Sequence, residues 1–308
     1  MNSSAPVPVI LDVDTGLDDA LALILAVRDP QVEIVAVTTL AGNINVWKAT
    51  ANTLSVLDQI GASDVPVHRG ASRPLVEPQF DASDIHGVTG LGDAVLTPST
   101  RDVGADRGPA AIIRLAKSRP GEITLVCTGP LTNLAIALNV EPDLPNLLKQ
   151  VVVMGGAYRV PGNTRPHAEF NILLDPDAAK QVFEAEWPSL IAVGLDVTHI
   201  TTISRAQWEK LRKGSTTEAK LTAAITQYTY LSRGREVFYL HDPLALGVAF
   251  DPTFVTTESG TIDVVVEGPD RGRTIFTPGP STTEVAFGVD AERFLAKFSE
   301  ALGVSLTA

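Results

Sequence analysis

Through the first two thirds of this chain, short Val- and Ile-rich runs alternate with segments of helical period, and few folds accept that alternation. Val7 to Val13, Glu33 to Thr38, Ile123 to Cys127, Val151 to Met154 and Leu190 to Val193 read as buried strands. Asp18 to Arg28, Val46 to Ile60, Pro109 to Ser118 and Asp177 to Glu186 read as the helices between them. Strands without polar alternation are buried on both faces, so the fold class is α/β: an open, mostly parallel sheet with helices on both sides. Such sheets bind ligands beyond the carboxyl ends of their strands. The pattern changes after residue 200. Ser204 to Arg212, Thr217 to Arg233 and Asp290 to Leu302 look helical, and Thr261 to Glu267 with Arg273 to Phe276 looks like an added C-terminal β-hairpin around Gly268-Pro269-Asp270. No repeat or linker divides the 308 residues, so one domain is expected across 1–308. The loops Ser72 to Ser99 and Ala157 to Glu169 are long enough to suggest function.

Composition narrows the partners. Acidic residues outnumber basic ones 36 to 24, a net charge of −12, with no basic run to bind nucleic acid or an anionic membrane. A small-molecule substrate is the better fit. A single cysteine, Cys127, excludes an internal disulfide framework and points to a reducing, cytoplasmic setting. Met1 to Pro8 lacks the basic and apolar regions of a signal peptide, and no apolar run reaches membrane-spanning length.

The strongest local signal is Leu11-Asp12-Val13-Asp14-Thr15-Gly16-Leu17-Asp18-Asp19, four carboxylates within eight residues where a buried strand becomes a helix. One helix dipole cannot satisfy four carboxylates; a cation can. Oxygen donors without Cys or His call for a hard ion, Ca²⁺ or Mg²⁺. Gly16 is expected to permit the tight turn. Capping plus a solvated acidic loop explains one or two of these Asp residues, not all. An EF-hand fails, since Leu17 stands at its sixth position and Leu23 at its twelfth. A haloacid-dehalogenase-type, Mg²⁺-dependent phosphatase acting through Asp12 is the alternative, although its D-x-D-x-T pattern meets Gly16 at the last position.

Further segments accompany D-x-D-x-G-x-D-D: Ala36-Val37-Thr38-Thr39-Leu40-Ala41-Gly42-Asn43, Thr128-Gly129-Pro130-Leu131-Thr132-Asn133, Val153-Met154-Gly155-Gly156, Asn163, Glu169-Phe170-Asn171 and His241-Asp242-Pro243. In order across roughly residues 7 to 300, the whole set resembles the inosine–uridine-preferring nucleoside hydrolase family. Thr15 departs from the family, which commonly has Pro there. The resemblance implies Ca²⁺-dependent hydrolysis of the N-glycosidic bond of a ribonucleoside, in purine or pyrimidine salvage, or of another N-riboside. It implies a homo-oligomer as well, a dimer or tetramer.

By that resemblance Asp14, Asp19 and Asp242 with the main-chain carbonyl of Thr128 are the Ca²⁺ ligands, and Asp14 is also the general base for the attacking water. Asp18 and Asn171 hold the ribose hydroxyls. Glu169 and Asn163 reach the 5′ side, Asn43 steadies the sugar or water, and Met154 and Phe170 complete the substrate site. His241 meets the leaving base, and His86 belongs to a Gly-rich loop that covers the pocket. Plainer readings exist. Asp-Pro occurs at Asp29, Asp175, Asp242 and Asp251, and Asp before Pro commonly caps a helix. Asn163 in Pro161-Gly162-Asn163 suits a turn, and Asn43 suits the cap of the Val46 helix. Tyr228, Tyr230 and Tyr239 suit either the base pocket or helical packing. His167 and His199 carry no comparable motif. A retaining glycosidase needs a carboxylate nucleophile, whereas these carboxylates are committed to metal, so direct attack by water is expected. Base preference resides in the loops around 72–99 and 220–241.

Overall fold

The computed structural model describes residues 5–307, so the first four residues of the Met1 to Pro8 segment lie outside the described part. A nine-stranded sheet forms the centre. Its strands are β1 (Val7–Val13), β2 (Val32–Thr39), β3 (Val67–Arg69), β4 (Thr124–Cys127), β5 (Gln150–Met154) and β6 (Leu190–Val193). A separate pair, β7 (Thr202–Ser204) and β8 (Val237–Tyr239), precedes β9 (Val255–Val264), β10 (Thr274–Pro278) and β11 (Thr283–Val289). The order across the sheet is β10-β9-β11-β6-β5-β4-β1-β2-β3. From β3 through to β11 every neighbour is parallel; β9 is antiparallel to β11 and β10 to β9. The expected parallel α/β class is what the chain adopts.

The hairpin does form, but it is longer than the sequence suggested and is not free-standing. β11 joins it to the sheet edge at β6. β11 is a strand that the sequence reading missed, because Gly288 and a register shift between Ala286 and Gly288 break its pattern.

Side chains alternate along β1. Val9, Leu11 and Val13 enter a core shared with the helices Leu17–Arg28, His241–Phe250 and Ala291–Leu302. Ile10 enters the opposite core, with Ile112, Leu134 and Val182 from Gly108–Ser118, Thr132–Val140 and Pro176–Glu184. Leu17–Arg28 is buried almost all round, which is why its sequence is apolar on every face. The expected helix Thr217 to Arg233 instead ends at Gln227, and Tyr228–Ser232 widens into a π-turn. There Tyr230 stacks on Trp208 and donates to the carbonyl of Ile203, so a buried contact outweighs helical regularity. No helix among the described residues is long and apolar enough to cross a membrane.

From β1 the chain proceeds to β2 and β3, then returns to β4 on β1's other side. That reversal leaves a crevice beyond the ends of β1 and β4, where open α/β sheets take their ligands.

Candidate active site

Asp14 follows the last residue of β1, and the helix Leu17–Arg28 begins three residues later. Asp19, in its first turn, closes the junction. Its Oδ1 accepts from the Asp14 N–H at 3.3 Å and Thr128 Oγ1 at 2.8 Å; its Oδ2 accepts from the Gly16 N–H at 2.9 Å and Asn43 Nδ2 at 3.1 Å. Gly16 has an ordinary φ of −93°, so this turn does not use glycine's left-handed freedom. Space is what demands glycine there, since a Cβ would lie 2.2 Å from His86 Nδ1. Thr15 stiffens the junction in its own way, through Thr53 Oγ1 at 2.6 Å. Asn43 donates its N–H to Asp14 Oδ2 at 2.6 Å and its Nδ2 to Asp14 Oδ1 at 3.1 Å. It does not cap the next helix. Asn45 does that, accepting from the N–H of Lys48.

A second helix N-terminus meets the first. Asp242 lies in the first turn of His241–Phe250, inside the helix rather than at its cap, and its side chain makes no capping bond. Asp175 and Asp251 are true caps, accepting from Ala178 and Thr253, so the four Asp-Pro pairs divide by use. Carboxylate oxygens of Asp18, Asp19 and Asp242 come within 4.8 Å of one another, all buried. Among the described residues Asp18 Oδ1 has no hydrogen-bond partner. Burial first and neighbouring carboxylates second raise Asp18 to about 7 and Asp14 and Asp242 well above the usual range. An orphaned oxygen in an all-oxygen donor set fits a hard divalent cation. Asp18 stands with Asp19 and Asp242, while Asp14 is tied to them through Asn43 and through its charge.

Above these carboxylates opens a cavity of about 500 Å³. It gathers Asp18, Asn43, His86, Thr128, Met154, Asn163, Glu169, Phe170, Asn171, His241 and Asp242, side chains from widely separated segments. Asp14 and Asp19 lie beneath the lining, fully buried. Asp12 does not reach the cavity. It faces the other core, bonded to Thr38 and Asn133, and burial raises it to about 7. A nucleophile there cannot meet a phosphate ester, so the phosphatase alternative has no site.

Glu169 caps a short helix and accepts three N–H groups, from Gly156, Asn171 and Ile172. It therefore fixes Asn171, whose Nδ2 reaches the carbonyls of Thr128 at 2.7 Å and Met154 at 3.2 Å. Asn163 Oδ1 accepts from the N–H of Phe170, so its turn role and its place in the cavity coexist. His86 Nδ1 accepts from the N–H of Leu17 at 3.0 Å, and burial pushes it down to about 3. Burial, then the nearby His199 and His86, push His241 down to about 3 also, so at neutral pH it is an uncharged ring. Of the three tyrosines only Tyr239 lines the cavity; Tyr230 is core and Tyr228 packs against it. The sequence reading missed His199, Thr229 and Arg233, which also line it. His199 and Tyr239 rings lie 5.7 Å and 5.3 Å from His241. The signal for His199 was its place just after a parallel strand's end.

A parallel sheet with a switch-point cavity over buried carboxylates is the build of a metal-assisted hydrolase. The inosine-uridine preferring nucleoside hydrolase family model matches residues 9–296, and the chain belongs to that family. It is similar to the inosine-uridine preferring nucleoside hydrolase of Leishmania major, 38% identical over 96% of this chain and 98% of the relative. It is similar also to the pyrimidine-specific ribonucleoside hydrolase RihA of Enterobacter sp. (strain 638), 35% identical over 96% and 97% of the two chains. Among solved structures it superimposes on the purine-preferring ribonucleoside hydrolase from Gardnerella vaginalis with a TM-score of 0.91, at 35% identity, covering 96% of this chain and 98% of that one. The chain is thus a ribonucleoside N-glycosidase.

Proposed function

We propose that this chain is a Ca²⁺-dependent ribonucleoside hydrolase of purine or pyrimidine salvage, a single catalytic domain working in the cytoplasm as a homodimer or homotetramer. The observation that carries the cation requirement is the trio Asp18, Asp19 and Asp242, buried together with an orphaned oxygen under the cavity. Asp14, Asp19, Asp242 and the Thr128 carbonyl would hold the ion. When bound, it supplies Lewis acidity and a positive charge at the cavity floor.

The chain's own residues do the rest. Asp18 and Asn171 orient the ribose hydroxyls, with Asn171 locked by Glu169 and by two carbonyls. Glu169 and Asn163 bound the 5′ side, while Met154 and Phe170 exclude water from the sugar. Asp14, its basicity raised by burial and by Asp19, takes the proton of the attacking water. Asn43 holds that carboxylate in line. His241 meets the departing base, and His86 closes the wall beside it. Orientation of water and sugar turns a bimolecular attack into a positioned one.

A panel of purine and pyrimidine ribonucleosides, with and without a chelator, tests this reading. Ribose release should stop with the chelator and return on adding Ca²⁺; release that persists refutes the cation's role.

Stability should respond to the same ion. Asp18 near 7 keeps a proton in the folded chain that an unfolded carboxylate gives up near pH 4. The folded state then binds more protons there, so without cation this contribution falls as pH rises between about 4 and 7; with Asp12, Asp14 and Asp242 raised as well, it outweighs the opposite contribution of the buried neutral His86 and His241. A cation replaces those protons. The chelated protein should melt lower at pH 8 than at pH 5, and Ca²⁺ should raise the melting temperature more at pH 8. A chelated protein that melts higher at pH 8 contradicts this.

A further inference from the structure

His241 Nδ1 lies 2.7 Å from Thr198 Oγ1. Thr198 ends the short turn Leu195–Thr198 just after β6, and it is fully buried. A buried hydroxyl must place its one hydrogen somewhere, because an unpaired O–H loses its water for nothing. Threonines in helices usually return it to the carbonyl four residues back. Thr50, Thr53 and Thr226 do so in this chain, donating to Val46, Ala49 and Thr222. Thr198 does not. The Gly194 carbonyl that it would use accepts instead from the N–H groups of Val197 and Thr198. Among the described residues the ring nitrogen of His241 is the one side-chain partner of Thr198.

If Nδ1 carried the hydrogen, Thr198 would accept it and its own hydrogen would be stranded. If the hydroxyl donates, both groups are satisfied. We propose that Thr198 is a positioning residue: it donates to His241 Nδ1 and so holds the ring as the neutral tautomer with its hydrogen on Nε2, offered to the leaving base. The partner matters. A carboxylate at Nδ1 would favour an imidazolium, as in hydrolytic triads, whereas a donating hydroxyl disfavours it. The other rings around His241, those of His199 and Tyr239, bring no carboxylate, and the Asp242 carboxylate is engaged with Asp18.

This inference rests on His241 meeting the base. The electron pair of the broken C1′–N bond goes to the base nitrogen, the water oxygen bonds to C1′, and the water proton passes to Asp14. Hydrogen-bonded at Nε2–H, the base takes its proton from solvent once released, and Asp14 gives its own back to solvent.

Thr198→Val keeps the side-chain shape and removes the donor. Its kcat on inosine should fall about tenfold, the scale of one net hydrogen bond in the barrier. On p-nitrophenyl β-D-riboside, whose phenolate leaves unaided, the change should stay within about threefold, less than 1 kcal/mol of barrier. Thr198→Ser should restore inosine turnover. Nitrogen-15 spectra of labelled histidine at pH 7, with His241 identified by its loss in His241→Phe, should show hydrogen on Nε2 in the parent and a tautomer mixture in Thr198→Val. Hydrogen on Nδ1 in the parent overturns the proposal, as does an equal loss on both substrates. His241→Phe tests the reading beneath it. An unchanged ratio of inosine to nitrophenyl riboside rates removes His241 from the base, and the role of Thr198 goes with it.

Discussion

Gly42→Ala is expected to cost at least about a hundredfold in kcat while leaving the chain folded, the scale set by displacing a reacting group by an ångström. A Cβ at residue 42 would lie 1.9 Å from Asp14 Oδ2 and 2.8 Å from the ring of Pro130. The carboxylate has nowhere to retreat. Gly129 closes the other side, where a Cβ would stand 3.0 Å from Asp14 Cγ. Asp14 must then rotate or sink, and it loses the 2.6 Å bond from the Asn43 N–H that aims it. Residue 42 has no left-handed φ to satisfy, so alanine strains the slot and not the backbone. Gly279→Ala, with open space around its Cβ, is the matched control and should behave as the parent. Steady-state kinetics at saturating ribonucleoside with a melting curve decides the matter. A Gly42→Ala enzyme within about tenfold of the parent would mean that Asp14 tolerates displacement, which a positioned base does not.

That slot shows how far the sequence was legible. Asp12 through Asp19 announced a crowded acidic junction, because four like charges on one strand-to-helix turn demand an explanation that local structure cannot give. The parallel sheet was legible for a similar reason: strands buried on both faces lack polar alternation, and β1, β2, β4, β5 and β6 all do. What could not be read is what depends on side chains meeting from distant segments. Asp18 comes beside Asp19 and Asp242 because the first turn of Leu17–Arg28 faces the first turn of His241–Phe250. Asn43 and Asn45 are both plausible caps by type, and only the packing of Asn43 against Asp14 decides between them. Short strands such as β3 and β11 carry too few residues, or too irregular a register, for period-two reasoning. His199 had no motif at all, and it enters the cavity because β6 ends beside β5 at the same level.

The heaviest loss is expected from Asp19→Asn, where one amide group must face four donors. Each Asp19 oxygen accepts twice: Oδ1 from the Asp14 N–H and Thr128 Oγ1, Oδ2 from the Gly16 N–H and Asn43 Nδ2. A carboxylate is acceptor-only and suits this; an amide brings two hydrogens of its own. With its NH₂ at the Oδ2 position, it opposes Gly16 N–H and the Asn43 amide together. At the Oδ1 position the Thr128 hydroxyl can turn to accept, but the Asp14 N–H is left facing a donor. The second arrangement costs less, about 1–3 kcal/mol for one unpaired buried group. A few degrees in melting temperature follow for a chain of this size. The chemistry loses far more, because the charge that would hold the cation and the frame that positions Asp14 disappear together. Turnover should drop by about a thousandfold or more, near the sum of a lost electrostatic contact and a misplaced base. The Ca²⁺ concentration for half-activity should rise with it. Asp19→Asn with parent-like Ca²⁺ dependence and turnover within about tenfold would show that Asp14, Asp18 and Asp242 suffice, and that Asp19 serves the helix start alone.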